Sequence, residues 1–196
     1  MKNKTAFIFF GASGSGKGTQ AKLLKKYLEE TDTRKIAYIE TGNRFREFND
    51  KPGYLPSKIS ETVNNGGLLP VCLSVWNWTN AFFDELEENT HIILDGSPRR
   101  QLELPVLESA LDFLNYDDVH IISLDVPREL LVDRLTSRDR NDDNTEQINR
   151  RLDWFMSEVQ PMLDYYSENP RYKFHDIDGS KTVEQIQQEI LTKINE

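Results

Sequence analysis

The chain has 196 residues, with 24 Lys and Arg against 33 Asp and Glu and a formal net charge of -9. That length suits one domain with room for a sizeable core, and the acidic balance argues against nucleic acid or an anionic membrane as the main partner. A single cysteine, Cys72, leaves no internal disulfide framework and no cysteine-based structural zinc site.

In chain order, the first apolar run is TAFIFF at 5–10, too short for a secretory leader, and it reads as a buried strand. GASGSGKGTQ follows at 11–20. Gly11, Gly16 and Lys17 fit the phosphate-binding loop G-x-x-x-x-G-K-[ST], but Gly18 stands where the magnesium-binding hydroxyl belongs, and Thr19 brings one a place late. A Gly-rich turn between a strand and a helix offers backbone N–H groups and a positive helix end to phosphate. Here Ala21, Leu24 and Leu28 recur at helical spacing after the loop. IAYIE at 36–40 is the second strand, followed by TGNRFRE with Arg44 and Arg46.

Residues 41–90 carry no strand signal and read as a helical insertion. It ends in a helix bearing Val75, Trp78, Phe82 and Leu86, aromatic content that suits core packing. HIILD at 91–95 is the third strand and closes on Asp95, which either orients the waters around Mg²⁺ or caps the next turn. Arg99 and Arg100 come next, then a helix with Leu104, Leu107, Leu111 and Leu114. VHIISLDV at 119–126 is the fourth strand. Arg134 and Arg138 lie one helical turn apart, Arg140 falls in the polar link 137–147 beside Asp142 and Asp143, and Arg150 and Arg151 open another helix. YKFHDID at 172–178 is the fifth strand. A last helix carries Val183, Ile186, Ile190 and Ile194 behind a capping box of Thr182 and Gln185.

This alternation predicts a parallel sheet with helices on both faces and ligands at the carboxyl ends of its strands. Arginine forks suit phosphate oxygens, and a set gathered at strand ends in an acidic protein points to phosphoryl transfer. His91, His120 and His175 fall in or beside strands without metal-ligand spacing, which predicts structural roles. No stretch reaches the length of a membrane span, so the expectation is a soluble, cytoplasmic protein, monomeric because no long apolar stripe is left over.

Together these segments resemble the adenylate kinase and nucleoside monophosphate kinase family over nearly the whole chain. That resemblance implies a P-loop NTPase-type, three-layer α/β fold with a five-stranded parallel sheet. The core would be 1–40, 84–138 and 143–196, with monophosphate-binding helices at 41–83 and a very short lid at 139–142. The Lys-Gly-Thr-Gln ending of the loop is similar to the family's own, so Gly18 becomes a family trait. ATP would be held by Gly14, Ser15, Gly16, Lys17, Gly18 and Thr19, with Arg134 on the adenine and the loop around Lys181 reading the base. The monophosphate would be held by Thr41, Arg46, Leu69, Arg99 and Glu103. Lys17, Arg138, Arg140 and Arg151 would be catalytic, and Mg²⁺ would sit near Asp95 and Thr19 through water.

Departures from the family pattern are Ser13 for a proline, Asn43 for an aspartate, Ser97 for an aromatic and Glu103 for a glutamine. Glu103 bears on the base. An ionised carboxylate only accepts, which satisfies an adenine amino group but faces the lone pair of N1, whereas guanine offers two donors side by side. Gln101, two residues earlier, would substitute if the loop were shifted. The implied activity is Mg-dependent transfer from ATP to AMP. GMP, a pyrimidine monophosphate, or a nucleotide sensor without turnover are the alternatives.

Overall fold

The computed structural model describes residues 3–137 and 144–196. Five strands, β1 Thr5–Gly11, β2 Ile36–Glu40, β3 His91–Asp95, β4 Asp118–Asp125 and β5 Lys173–Asp178, form one sheet in the order β2-β3-β1-β4-β5. Every pairing is parallel, and the register sets Asp95 beside both Glu40 and Phe9. Parallel strands need helical crossovers, and the helices cover both faces of the sheet.

The two-residue alternation of a strand sorts the side chains. Phe7 and Phe9 of β1 face one layer with Ile93, Ile122 and Ile177. There they meet Ala21, Leu24 and Leu28 of α1 (Lys17–Thr31) and Ile186, Ile190 and Ile194 of α9 (Val183–Ile194). Ala6, Ile8 and Phe10 face the other layer. That layer is closed by Trp78, Ala81 and Phe82 of α4 (Val71–Glu85), Leu107 and Leu111 of α5 (Leu104–Phe113) and Tyr166 of α8 (Gln160–Glu168). The capping box before α9 forms as expected, with Thr182 Oγ1 accepting from Gln185 N–H and Gln185 Oε1 from Thr182 N–H. Val183 leaves the expected stripe: it is exposed in the first turn, where α9 has not yet reached the sheet. Leu86 and Leu114 are half-buried just past the ends of α4 and α5.

Between β2 and β3 run α2 (Thr41–Arg46), a tight 3-10 turn (Glu47–Asp50), α3 (Tyr54–Asn64) and α4. Phe45, Ile59 and Leu69 form a separate small core there, with Phe48, Val63 and Leu73 against it. Next to Ala12 and Val126, α6 (Arg128–Thr136) and α7 (Thr145–Trp154) pack through Leu131, Leu135, Ile148 and Leu152. A π-turn, Phe155–Val159, joins α7 to α8.

Histidines line the amino ends of the strands. His91 Nδ1 accepts from Thr5 N–H at 3.0 Å, and His120 Nδ1 lies 2.9 Å from His175 Nε2. Asp118 binds the Lys173 ammonium at 2.7 Å and accepts from Thr5 Oγ1. Burial, reinforced by the charges of Lys193 and Lys173 and by His120, pushes His175 down to about 4. No helix among the described residues is long and apolar enough to cross a membrane.

Candidate active site

The carboxyl ends of β1, β2 and β3 open into a cleft of about 410 Å³. Among the described residues, seven cationic side chains line it (Lys17, Lys22, Arg46, Arg99, Arg100, Arg134 and Arg151) against Glu40, Asp95 and Glu103. In a chain of net charge -9, that surplus makes the cleft a local sink for anions.

The phosphate-binding loop forms one wall. β1 ends at Gly11, the chain turns with Ser15 N–H donating to Ala12 O, and α1 begins at Lys17. Ser13, Gly14, Gly16, Lys17, Gly18 and Thr19 all face the cleft, whereas Ser15 is buried behind it. Asp95 stands beside Gly18: a Cβ at Gly18 would lie 3.0 Å from Asp95 Oδ2. Tyr38 holds that carboxylate from the neighbouring strand, its hydroxyl 3.2 Å from Asp95 Oδ2 and 3.3 Å from Glu40 Oε2. Burial pushes the Asp95 carboxyl up and Glu40 adds to this, while the charges of Lys17 and Arg99 pull it back.

Arg46 of α2 and Arg99 converge on the opposite wall. A Cβ at Gly42 would meet Arg99 Nη2 at 3.2 Å and Arg46 Nη1 at 3.3 Å, so both forks close over one glycine. Arg99 Nε donates to Gly96 O, and its guanidinium lies 5.9 Å from the centre of the Trp154 ring. Burial pulls Arg99 below its ordinary range, and the charges of Arg46 and Arg151 add to the pull. Clustered guanidiniums of this kind gain from an anion between them. Arg46 Nη2 meanwhile donates to Glu40 Oε1 at 3.2 Å. Arg151, buried on α7, completes this wall.

At the far end of the cleft lie Phe45, Val63, Leu69, Ser74 and Glu103. Glu103 is fully buried, in the 3-10 turn Gln101–Glu103, and not on an exposed helix face. Thr41 also lines the cleft, its hydroxyl donating to Gly96 O at 2.8 Å. Burial pushes the Glu103 carboxyl up, while donors from Ser74, Arg99 and Arg100 hold it down.

Other expected residues lie differently. Arg134 faces the cleft and donates to Gly179 O at 3.0 Å, but Lys181 stands outside it, its ammonium on Glu189. Arg44 faces Asp84 and Glu85, and Arg100 spends its guanidinium on the carbonyls of Leu68 and Leu69. Arg138, Arg140 and the segment 139–142 lie outside the described residues. Sequence reading missed Tyr38, Ser74 and Trp154. Only the alternation in IAYIE, which puts Tyr38 and Glu40 on one face, hinted at any of them.

The adenylate kinase family model matches residues 9–171. Adenylate kinase 1 of Nostoc sp. is 33% identical over 186 residues, covering 95% of this chain and 96% of its own. The adenylate kinase of Thermosynechococcus vestitus is 32% identical, covering 96% of each chain, and that of Corynebacterium urealyticum is 31% identical, covering 96% and 98%. A parallel sheet, a phosphate-binding loop at its centre and an arginine-lined cleft beside it agree with this match: the chain is a phosphotransferase and belongs to the adenylate kinase family.

Proposed function

We propose that the chain transfers the γ-phosphoryl group of ATP to AMP, reversibly and with Mg²⁺, as a monomeric cytoplasmic enzyme. One observation carries this reading. A single cleft holds a phosphate-binding loop with Lys17 on one wall and the paired forks of Arg46 and Arg99 on the other, with Asp95 on its lining. Two anionic groups fit such a site, one against each wall. The names of the relatives point to the same acceptor.

In this reading the loop N–H groups and Lys17 hold the ATP phosphates, and Arg46 and Arg99 fix the acceptor phosphate. Arg151, with Arg138 and Arg140, gathers charge around the moving group. Phosphoryl transfer asks for placement and charge, with no covalent intermediate on the protein. Arg134 and the loop around Lys181 take the ATP adenine, and Thr41, Leu69 and Glu103 the acceptor nucleoside. The donor set fits Mg²⁺: the Asp95 carboxylate lines the cleft beside Gly18 and Thr19, and hard cations take oxygen ligands and keep their waters. Bound there, Mg²⁺ would neutralise phosphate charge; Asp95 and Thr19 would hold it through water.

The test is ADP release from ATP and Mg²⁺ against AMP, GMP, CMP and UMP in parallel. AMP is expected to give the highest kcat/KM. A second reading, GMP as acceptor, is favoured by the carboxylate of Glu103, and turnover with GMP above AMP would establish it. Silence with all four, alongside ATP binding, would leave a nucleotide sensor.

A further inference from the structure

Two polar side chains stand in the apolar end of the cleft, Ser74 from α4 and Glu103 before α5, 6% and 0% exposed. Glu103 Oε1 accepts from the backbone N–H groups of Arg99 at 3.2 Å and Arg100 at 3.1 Å, which uses both its lone pairs. Oε2 accepts from the Ser74 hydroxyl at 2.9 Å and keeps one lone pair. The carboxylate therefore has a single acceptor site left for a ligand and no donor.

An adenine edge asks for more. Its 6-amino group needs an acceptor and its ring N1 needs a donor, and a carboxylate facing N1 sets lone pair against lone pair. We propose that Ser74 is a specificity-determining residue: its hydroxyl turns from Glu103 Oε2 to donate to N1 of the acceptor adenine, while Oε2 accepts from the 6-amino group. A hydroxyl hydrogen rotates without moving a heavy atom, so the pair reaches this state from the geometry already present. Base reading is thus divided between two side chains on different elements. The inference rests on the reading of AMP as acceptor.

The same pair accommodates guanine, since Oε2 and Ser74 Oγ can both accept while the hydroxyl hydrogen stays on Glu103. The wild-type enzyme is therefore expected to show secondary turnover with GMP. Ser74→Ala leaves N1 of adenine facing the carboxylate, and KM for AMP is expected to rise about 10-fold with KM for ATP unmoved. Glu103→Gln turns the balance the other way. Its carbonyl oxygen can keep the two backbone donors, which places its amide N–H₂ toward the ligand. The amide then donates to N1 of adenine and opposes N1–H of guanine, so the AMP-to-GMP ratio of kcat/KM rises.

The experiment measures KM for AMP, GMP and ATP in the wild type, Ser74→Ala, Glu103→Gln and the double variant. Recovery of AMP binding in the double variant relative to Ser74→Ala supports the proposal, because a structural loss at Ser74 would not be repaired by a new donor at 103. An unchanged KM for AMP in Ser74→Ala overturns it. So does a loss that Glu103→Gln fails to repair, or an AMP-to-GMP ratio that Glu103→Gln leaves unmoved. Absence of wild-type turnover with AMP is a different result and removes the reading beneath it.

Discussion

A methyl group added at Gly18 would stand 3.0 Å from Asp95 Oδ2, closer than ordinary contact, and Asp95 is buried and held by Tyr38. The absence of a side chain at 18 thus lets the third strand bring its carboxylate up against the phosphate-binding loop. Gly18→Ala is expected to fold but to lose about 10-fold in kcat, since small displacements of positioned groups are costly. Steady-state kinetics beside a thermal melt would separate this from destabilisation. The sequence marked Gly18 as unusual but could not say why, because the reason lies 77 positions along the chain at Asp95. Tyr38 and Ser74 were hidden for the same cause: each acts on a partner that only folding brings near. Glu103 is the intermediate case. Its chemistry was legible, but its burial and its three donors were not.

At the scale of elements, the five strands were readable to within a residue or two: β1, β3 and β4 are buried, near-continuous apolar runs, whereas the edge strands β2 and β5 bury only Ala37 and Ile39 in one and Ile177 in the other. The relation of α7 to the insertion was not. Along one face of α7, Gln147, Arg150 and Trp154 meet the turn Asn65–Gly67 that joins α3 to α4. Arg150 donates to Asn65 O at 3.0 Å, Trp154 Nε1–H donates to Gly66 O at 3.1 Å, and Gln147 O lies 2.9 Å from where a Gly66 Cβ would be. Gly66, at φ +68, is suited to that close approach twice over, by conformation and by size. Trp154 also lies under Arg99, so one ring touches both the insertion and a cleft-lining guanidinium. Trp154→Phe keeps the ring face and removes the N–H. KM for the monophosphate is expected to rise about threefold with kcat little changed, in keeping with the loss of one neutral hydrogen bond. An unchanged KM would show that the insertion is seated without this contact.

Across the whole molecule, charge and titration are segregated. The cleft gathers cations at the carboxyl ends of the strands, and the histidines gather at the amino ends. His175 is held near 4 when folded, against an ordinary value of 6.5, so the unfolded chain takes up its proton first as the pH falls. Its contribution to stability is present above about 6.5 and is lost as the pH falls toward 4. His175→Gln keeps a polar group for His120 and removes the titration. Its melting temperature is expected to fall less steeply than the wild type's across that window. Equal slopes would mean that another histidine buried in its neutral form, His91, governs stability across this window.

The strands that separate these two ends are short, and five residues of strand span roughly 16 Å. His175, held near 4, is neutral at neutral pH, so replacing it takes away no charge that the cleft could feel across that distance. Mutations that retune acid tolerance at the histidine floor should therefore be nearly silent in catalysis, and those that retune nucleotide choice should be nearly silent in acid tolerance. The fold gives its evolution two independent dials, one for where the enzyme survives and one for what it phosphorylates.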